Sequence, residues 1–151
     1  MPDIRHRVGV YAPREQVFEI LGTRAGLRRW WTRDVRGEEQ VGANLEFYFG
    51  DGDRPAATMR VAELSPSERV VWECVDGPKD WIGTTLTFEI RPGPAPEETV
   101  VTFTHADWRE PVEFLHHCST RWGQYLISLK TGLEDGRWQP DLEMPRVSSW
   151  D

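Results

Sequence analysis

The chain of 151 residues carries a formal net charge of -7, is 38% hydrophobic by residue, and contains eight Trp, six Phe, three Tyr and two Cys. Its length and composition fit one ordinary soluble domain, and its acidic balance gives no basic footprint for a phosphate backbone, so nucleic acid is not an expected partner. No apolar run approaches the roughly 20 residues of a membrane helix, and Met1-Pro2-Asp3-Ile4-Arg5 lacks the apolar stretch of a secretory signal; the expectation is a cytoplasmic protein without membrane insertion.

Residues 4–11 alternate, with Ile4, His6, Val8 and Val10 on one parity and Arg5 and Arg7 on the other, as a half-buried strand does. Pro13 suits a helical first turn, and Val17, Phe18, Ile20 and Leu21 make a short apolar stripe that Gly22 can end. A second short helix runs through Leu27, Trp30 and Trp31 before the chain extends near Val35. Five further alternating stretches follow, carrying Leu45, Phe47 and Phe49; Met59 and Val61; Val70, Trp72 and Cys74; Leu86, Phe88 and Ile90; and Val101, Phe103 and His105. Turn residues separate them at Gly50-Asp51-Gly52-Asp53, Ser65-Pro66-Ser67, Asp76-Gly77-Pro78 and Pro92-Gly93-Pro94. Connections this short join antiparallel neighbours, since parallel strands need crossovers of a dozen residues or more.

After Pro111 the period changes. Leu115, Cys118, Trp122, Leu126, Leu129 and Leu133 recur every three or four residues, which predicts a long amphipathic helix terminated at Gly136. Residues 137–151, with Trp138, Pro140, Pro145 and Trp150, read as an irregular tail. The order of elements predicts one α+β domain over residues 1–136, with helices on one side of an antiparallel sheet.

Several segments carry a resemblance: Val10-Tyr11-Ala12-Pro13-Arg14-Glu15-Gln16-Val17-Phe18, Leu27-Arg28-Arg29-Trp30-Trp31, Glu63-Leu64-Ser65-Pro66 with Arg69-Val70-Val71-Trp72-Glu73, Thr99-Val100-Val101-Thr102-Phe103-Thr104-His105, and Trp122-Gly123-Gln124-Tyr125-Leu126-Ile127-Ser128-Leu129-Lys130. Together, over about residues 3–136, the layout resembles the START-like (SRPBCC) superfamily, in the branch related to the activator of heat-shock protein 90 ATPase. The resemblance implies the helix-grip fold, a curved antiparallel sheet wrapped around a long carboxy-terminal helix, with a hydrophobic cavity between them. It implies a stand-alone bacterial domain that binds a hydrophobic small molecule, more than a chaperone activator. The eukaryotic activators use an additional amino-terminal domain to engage the chaperone, for which a chain of this length is expected to have no room. A chaperone-activator-like protein-interaction module with an exposed apolar patch therefore stands as an alternative expectation behind ligand binding.

The aromatic residues supply the candidate ligand-binding set. Strand parity turns Phe47, Phe49, Trp72, Phe88 and Phe103 toward the long helix and its Trp122, while Trp30, Trp31, Trp81 and Trp108 fall near strand ends. Apolar walls with a few polar groups are how a small hydrophobic ligand is held, though the same rings can instead fill a core. His105 shares the inward parity and is the one catalytic candidate. A polyketide-cyclase-like enzyme would pair it with Tyr48, Tyr125 or Glu113, whereas a ligand contact or a backbone-bonded core histidine needs no such partner. Glu113, His116, His117 and Cys118 resemble a metal cluster, but successive helical positions point about 100° apart and do not converge on one ion, so neither metal nor other cofactor is expected. Cys74 and Cys118 match no zinc or redox spacing and are expected as buried thiols. Glu73 and Glu89 have outward parity and are expected to pair with Arg60, Arg69 or Arg91. Monomer and homodimer both remain open.

Overall fold

The structure, a computed structural model, describes residues 1–50, 52–141 and 143–151. Strand β1 (Ile4–Val10) leads into helices α1 (Arg14–Gly22) and α2 (Arg24–Trp30). Six strands follow: β2 (Asp34–Gly37), β3 (Asn44–Tyr48), β4 (Ala57–Ser65), β5 (Arg69–Asp76), β6 (Thr85–Pro92) and β7 (Thr99–Ala106). Helix α3 (Glu113–Asp135) is last. The seven strands form one curved sheet in the order β1-β7-β6-β5-β4-β3-β2, with every neighbouring pair antiparallel. This is the helix-grip architecture, with a hairpin-linked meander from β2 to β7 and β1 closing on the far edge.

Local chemistry sets the element ends. Pro13 sits one position earlier than expected, at the N-cap of α1, where its carbonyl accepts from Gln16 and Val17 N–H at 3.0 and 3.1 Å. Thr23 breaks α1 from α2, because its extended backbone frees Oγ1 to accept from Gly26 N–H at 3.0 Å. A Cβ at Gly26 would lie 2.3 Å from Ile20 O, so the two helices approach as closely as only glycine allows. Register shifts in β4, between Thr58 and Met59 and between Val61 and Glu63, are bulges of the kind that bend a strand and curve its sheet. Gly136 ends α3 in the left-handed conformation (φ 72°), with its N–H on Gly132 O. Asp51 of the expected Gly50–Asp53 turn lies outside the described residues.

The concave sheet face and α3 bury one continuous aromatic core. Trp30, Trp72, Phe47, Phe88, Phe103 and Trp108 are each fully buried. Trp72 meets Phe88 edge-on at 5.2 Å, and Phe103 packs against Trp122 at 4.5 Å. On the outer face Arg60 pairs with Glu73 at 2.8 Å and Arg69 with Glu89 at 2.9 Å, while Arg91 donates to Thr102 at 3.2 Å. These exposed pairs contribute less than about 1 kcal/mol each. Among the described residues no helix is long and apolar enough to cross a membrane.

The tail returns onto the domain. Trp138 lies in a notch at Gly132, where any Cβ would fall 2.0 Å from its ring. Gln139 N–H donates to Ser128 Oγ at 2.8 Å, and Asp141 N–H to Trp31 O at 2.7 Å. Met144 is buried in the core cluster. Trp150 is half exposed and meets Phe114 and His117 edge-on, at 5.9 Å each.

Candidate functional site

In an antiparallel meander the β3–β4 and β5–β6 hairpins and the β7–α3 connection fall at the same end of the sheet. There, between those hairpins, α3 and the tail, lies a cavity of about 370 Å³. Its apolar wall comprises Trp31, Phe49, Ala57, Trp81, Phe114 and Trp122. Trp31 is placed by the end of α2, with its N–H on Leu27 O at 3.0 Å. Its ring stacks on Trp72 at 5.8 Å and packs on Phe47 at 4.3 Å, so the cavity surface rests directly on the core.

The opposite wall is polar. On α3, Phe114, Cys118, Arg121 and Tyr125 are spaced by four, three and four residues and so share one face, which turns toward the cavity. Arg121 and Asp141 form a buried ion pair. The Tyr125 hydroxyl donates to Asp141 Oδ1 at 2.9 Å and accepts from Arg121 at 2.8 Å. Burial, reinforced by the Asp141 charge, raises the Tyr125 pKa and keeps the phenol neutral. Asp151 sits further along the same wall, with Oδ1 3.4 Å from Arg121 Nε and 3.5 Å from His117 Nε2. Burial alone would raise its pKa, but the N–H groups of Val147 and Ser148 together with Arg121 and His117 outweigh that and lower it. His117 is pushed down by burial, partly offset by Asp151, and its Nδ1 lies 2.7 Å from Ser148 Oγ. Burial pushes the Cys118 thiol up to about 12 despite the nearby Trp81 indole.

Of the sequence-predicted ligand set, Trp31, Phe49, Trp81 and Trp122 line this cavity. Trp30, Phe47, Trp72, Phe88, Phe103, His105 and Trp108 do not line it; they are packed in the core. His105 is fully buried, and its bonding fixes its tautomer. Trp122 Nε1, which only donates, meets Nδ1 at 3.3 Å. Thr84 Oγ1 gives its single proton to Trp81 O at 2.5 Å and therefore accepts from Nε2–H at 2.8 Å. Both ring nitrogens are thus engaged in a neutral imidazole, and burial holds its pKa down at about 3.

The expected acid–base partners are not brought to His105. Tyr48 lies under the Arg36 guanidinium at 4.1 Å, Tyr125 is bonded to Asp141 and Arg121, and Glu113 is exposed in the first turn of α3. The grouping fails because the sheet carries His105 beside Thr84 on β6's approach and beneath Trp122, away from the polar wall. Among the described residues no three His, Cys, Asp or Glu side chains are grouped to hold a metal ion. The residues that sequence reasoning missed are Arg121, His117 as a cavity residue, Asp141 and Asp151. A charged Arg121 set directly beside the apolar stripe, four residues before Tyr125, was the available signal.

A curved antiparallel sheet gripping a long helix, with a cavity between them, defines a START-like domain. The chain belongs to the Activator of Hsp90 ATPase homolog 1-like protein family, whose profile it matches over residues 11–134. It is 35% identical to the Aha1 dimer from Colwellia psychrerythraea, with a TM-score of 0.80 over 91% of this chain and 99% of that one. The protein SSP2350 from Staphylococcus saprophyticus is 21% identical, with a TM-score of 0.74 over 95% and 100% of the two chains. CalU16 from Micromonospora echinospora is 17% identical, with a TM-score of 0.72 over 89% and 75%. At those identities the last two share the fold. No curated protein matches the chain.

Proposed function

We propose that this protein is a small-molecule binding domain that holds an aromatic or otherwise apolar ligand in the cavity at the hairpin end of the sheet. The observation that carries this reading is the coexistence of a fully packed aromatic core with about 370 Å³ left open beside it. That volume lies near the lower end of the roughly 300–1,000 Å³ of small-molecule sites, and burying ligand surface on such walls contributes roughly 25 cal/mol per Å². The occupied nitrogens of His105 favour binding over catalysis through that residue. The reading places the protein in the cytoplasm with Cys74 and Cys118 as free thiols, alone or as a homodimer like its Colwellia relative.

Titration with small neutral aromatics such as 2-naphthol, read by quenching of cavity tryptophan fluorescence, tests the proposal. Saturable quenching is expected in the natural protein, with loss of binding in Cys118→Phe, which adds bulk from α3 into the cavity, and in Ala56→Trp at the exposed rim. Quenching that persists undiminished in both folded variants would show that ligands bind elsewhere and overturn it.

A further inference from the structure

The two carboxylates of the polar wall are held very differently. Asp141 makes a direct contact with Arg121 and takes a 2.9 Å bond from Tyr125, while its own N–H is tied to Trp31. Asp151 approaches Arg121 and His117 only to 3.4 and 3.5 Å, well beyond the roughly 2.7–2.9 Å of a strong charge-assisted hydrogen bond. Its side chain is nevertheless 2% exposed, tucked beneath a short loop whose Ser148, Ser149 and Trp150 are exposed. Arg121 therefore carries one partner in direct contact and one at longer reach, and the second is anchored instead to its own loop, its Oδ2 accepting from the N–H groups of Val147 and Ser148.

Charge bookkeeping points the same way. The described lining has two guanidinium groups, Arg121 and Arg146, and two carboxylates, Asp141 and Asp151. With Asp151 moved out, the lining keeps one net positive charge beside its indole walls. That suits a single negative charge on an aromatic body and is too little for a polyphosphate.

We propose that the ligand is an aromatic monoanion, a carboxylate by its geometric match to Asp151, whose acidic group replaces the Asp151 carboxylate between Arg121 and His117. Asp151 then acts as a built-in competitor, and it leaves together with the loop at residues 147–151, giving up the contacts of the half-buried Trp150 with Phe114 and His117. The inference rests on the binding reading above and names the ligand class for that same cavity.

Calorimetric titration of the full chain with 2-naphthoate and with its neutral counterpart 2-naphthamide tests it. The natural protein is expected to prefer the carboxylate. Asp151→Asn, which keeps shape and removes the competing charge, is expected to tighten 2-naphthoate about tenfold, the scale of one hydrogen bond to a charged group, and to leave 2-naphthamide within about twofold. Arg121→Gln, verified as folded by circular dichroism, is expected to abolish the preference. Equal affinities for the two compounds, or equal tightening of both in Asp151→Asn, would overturn the anion assignment while leaving the binding reading standing. Absence of heat with both compounds in both proteins, with no quenching by 2-naphthol, would overturn both.

Discussion

His105 makes the cost of acidification calculable. It is fully buried and neutral, with Nδ1 accepting from Trp122 and Nε2–H donating to Thr84, and its pKa is pushed from the ordinary 6.5 to about 3. The unfolded chain therefore takes up this proton at pH values where the folded chain cannot. Stability that is complete above about pH 6.5 is lost as pH falls toward 3, with a slope of one proton, or about 1.4 kcal/mol per pH unit. Between pH 7 and pH 4.5 the loss from this one residue is about 2–3 kcal/mol, a large share of the roughly 5–15 kcal/mol that holds a domain together. Urea denaturation of the natural protein and of His105→Gln, followed by tryptophan fluorescence from pH 7.5 to 4.5, isolates the effect. Groups common to both proteins, His117 among them, cancel in the difference. The natural protein is expected to lose stability more steeply by about one proton over this range. Parallel profiles would refute the assignment of a buried, fully bonded neutral imidazole.

Three further outcomes follow from the packing. Asp141→Asn removes the partner in direct contact with Arg121 and leaves it Asp151 alone, 3.4 Å away, and is expected to cost about 2–3 kcal/mol in chemical denaturation, the scale of a buried hydrogen bond to a charged group; an unchanged denaturation midpoint would contradict the ion pair. Gly132→Ala gains roughly 1 kcal/mol of helix propensity yet must expel the Trp138 ring, so a lowered Tm and a red-shifted tryptophan emission are expected; a higher Tm with unchanged emission would contradict the notch. Burial pushes the thiols of Cys74 and Cys118 up to about 11 and 12, so Ellman's reagent at pH 8 should release no rapid colour from the native protein and two equivalents after denaturation.

The fold was largely legible because its elements are amphipathic with clean periods. Alternation in Leu86, Phe88 and Ile90, or in Val101, Phe103 and His105, marked the buried face, and the spacing from Leu115 to Leu133 marked the side of α3 that meets it. Depth was not legible. Parity tells which face a ring occupies but not how far along the sheet it lies, so Phe47 and Trp72, beneath Trp31, could not be separated from Phe49, which lines the cavity. The polar wall was harder still. Arg121 and Tyr125 belong to a second row on α3 that becomes meaningful only when Asp141 arrives from the tail, and that arrival depends on contacts at Ser128 and Trp31 that no local pattern encodes.

The return of the tail also divides labour along the chain. The family profile ends at residue 134, yet Asp141, Arg146, Trp150 and Asp151, which complete the cavity and set its charge, all lie beyond it. The sheet and helices supply the frame and the apolar wall, and residues 137–151 cover it as a charged faceplate. On the binding reading proposed above, exchanging that short segment would alter what the cavity accepts without rewriting the domain that presents it.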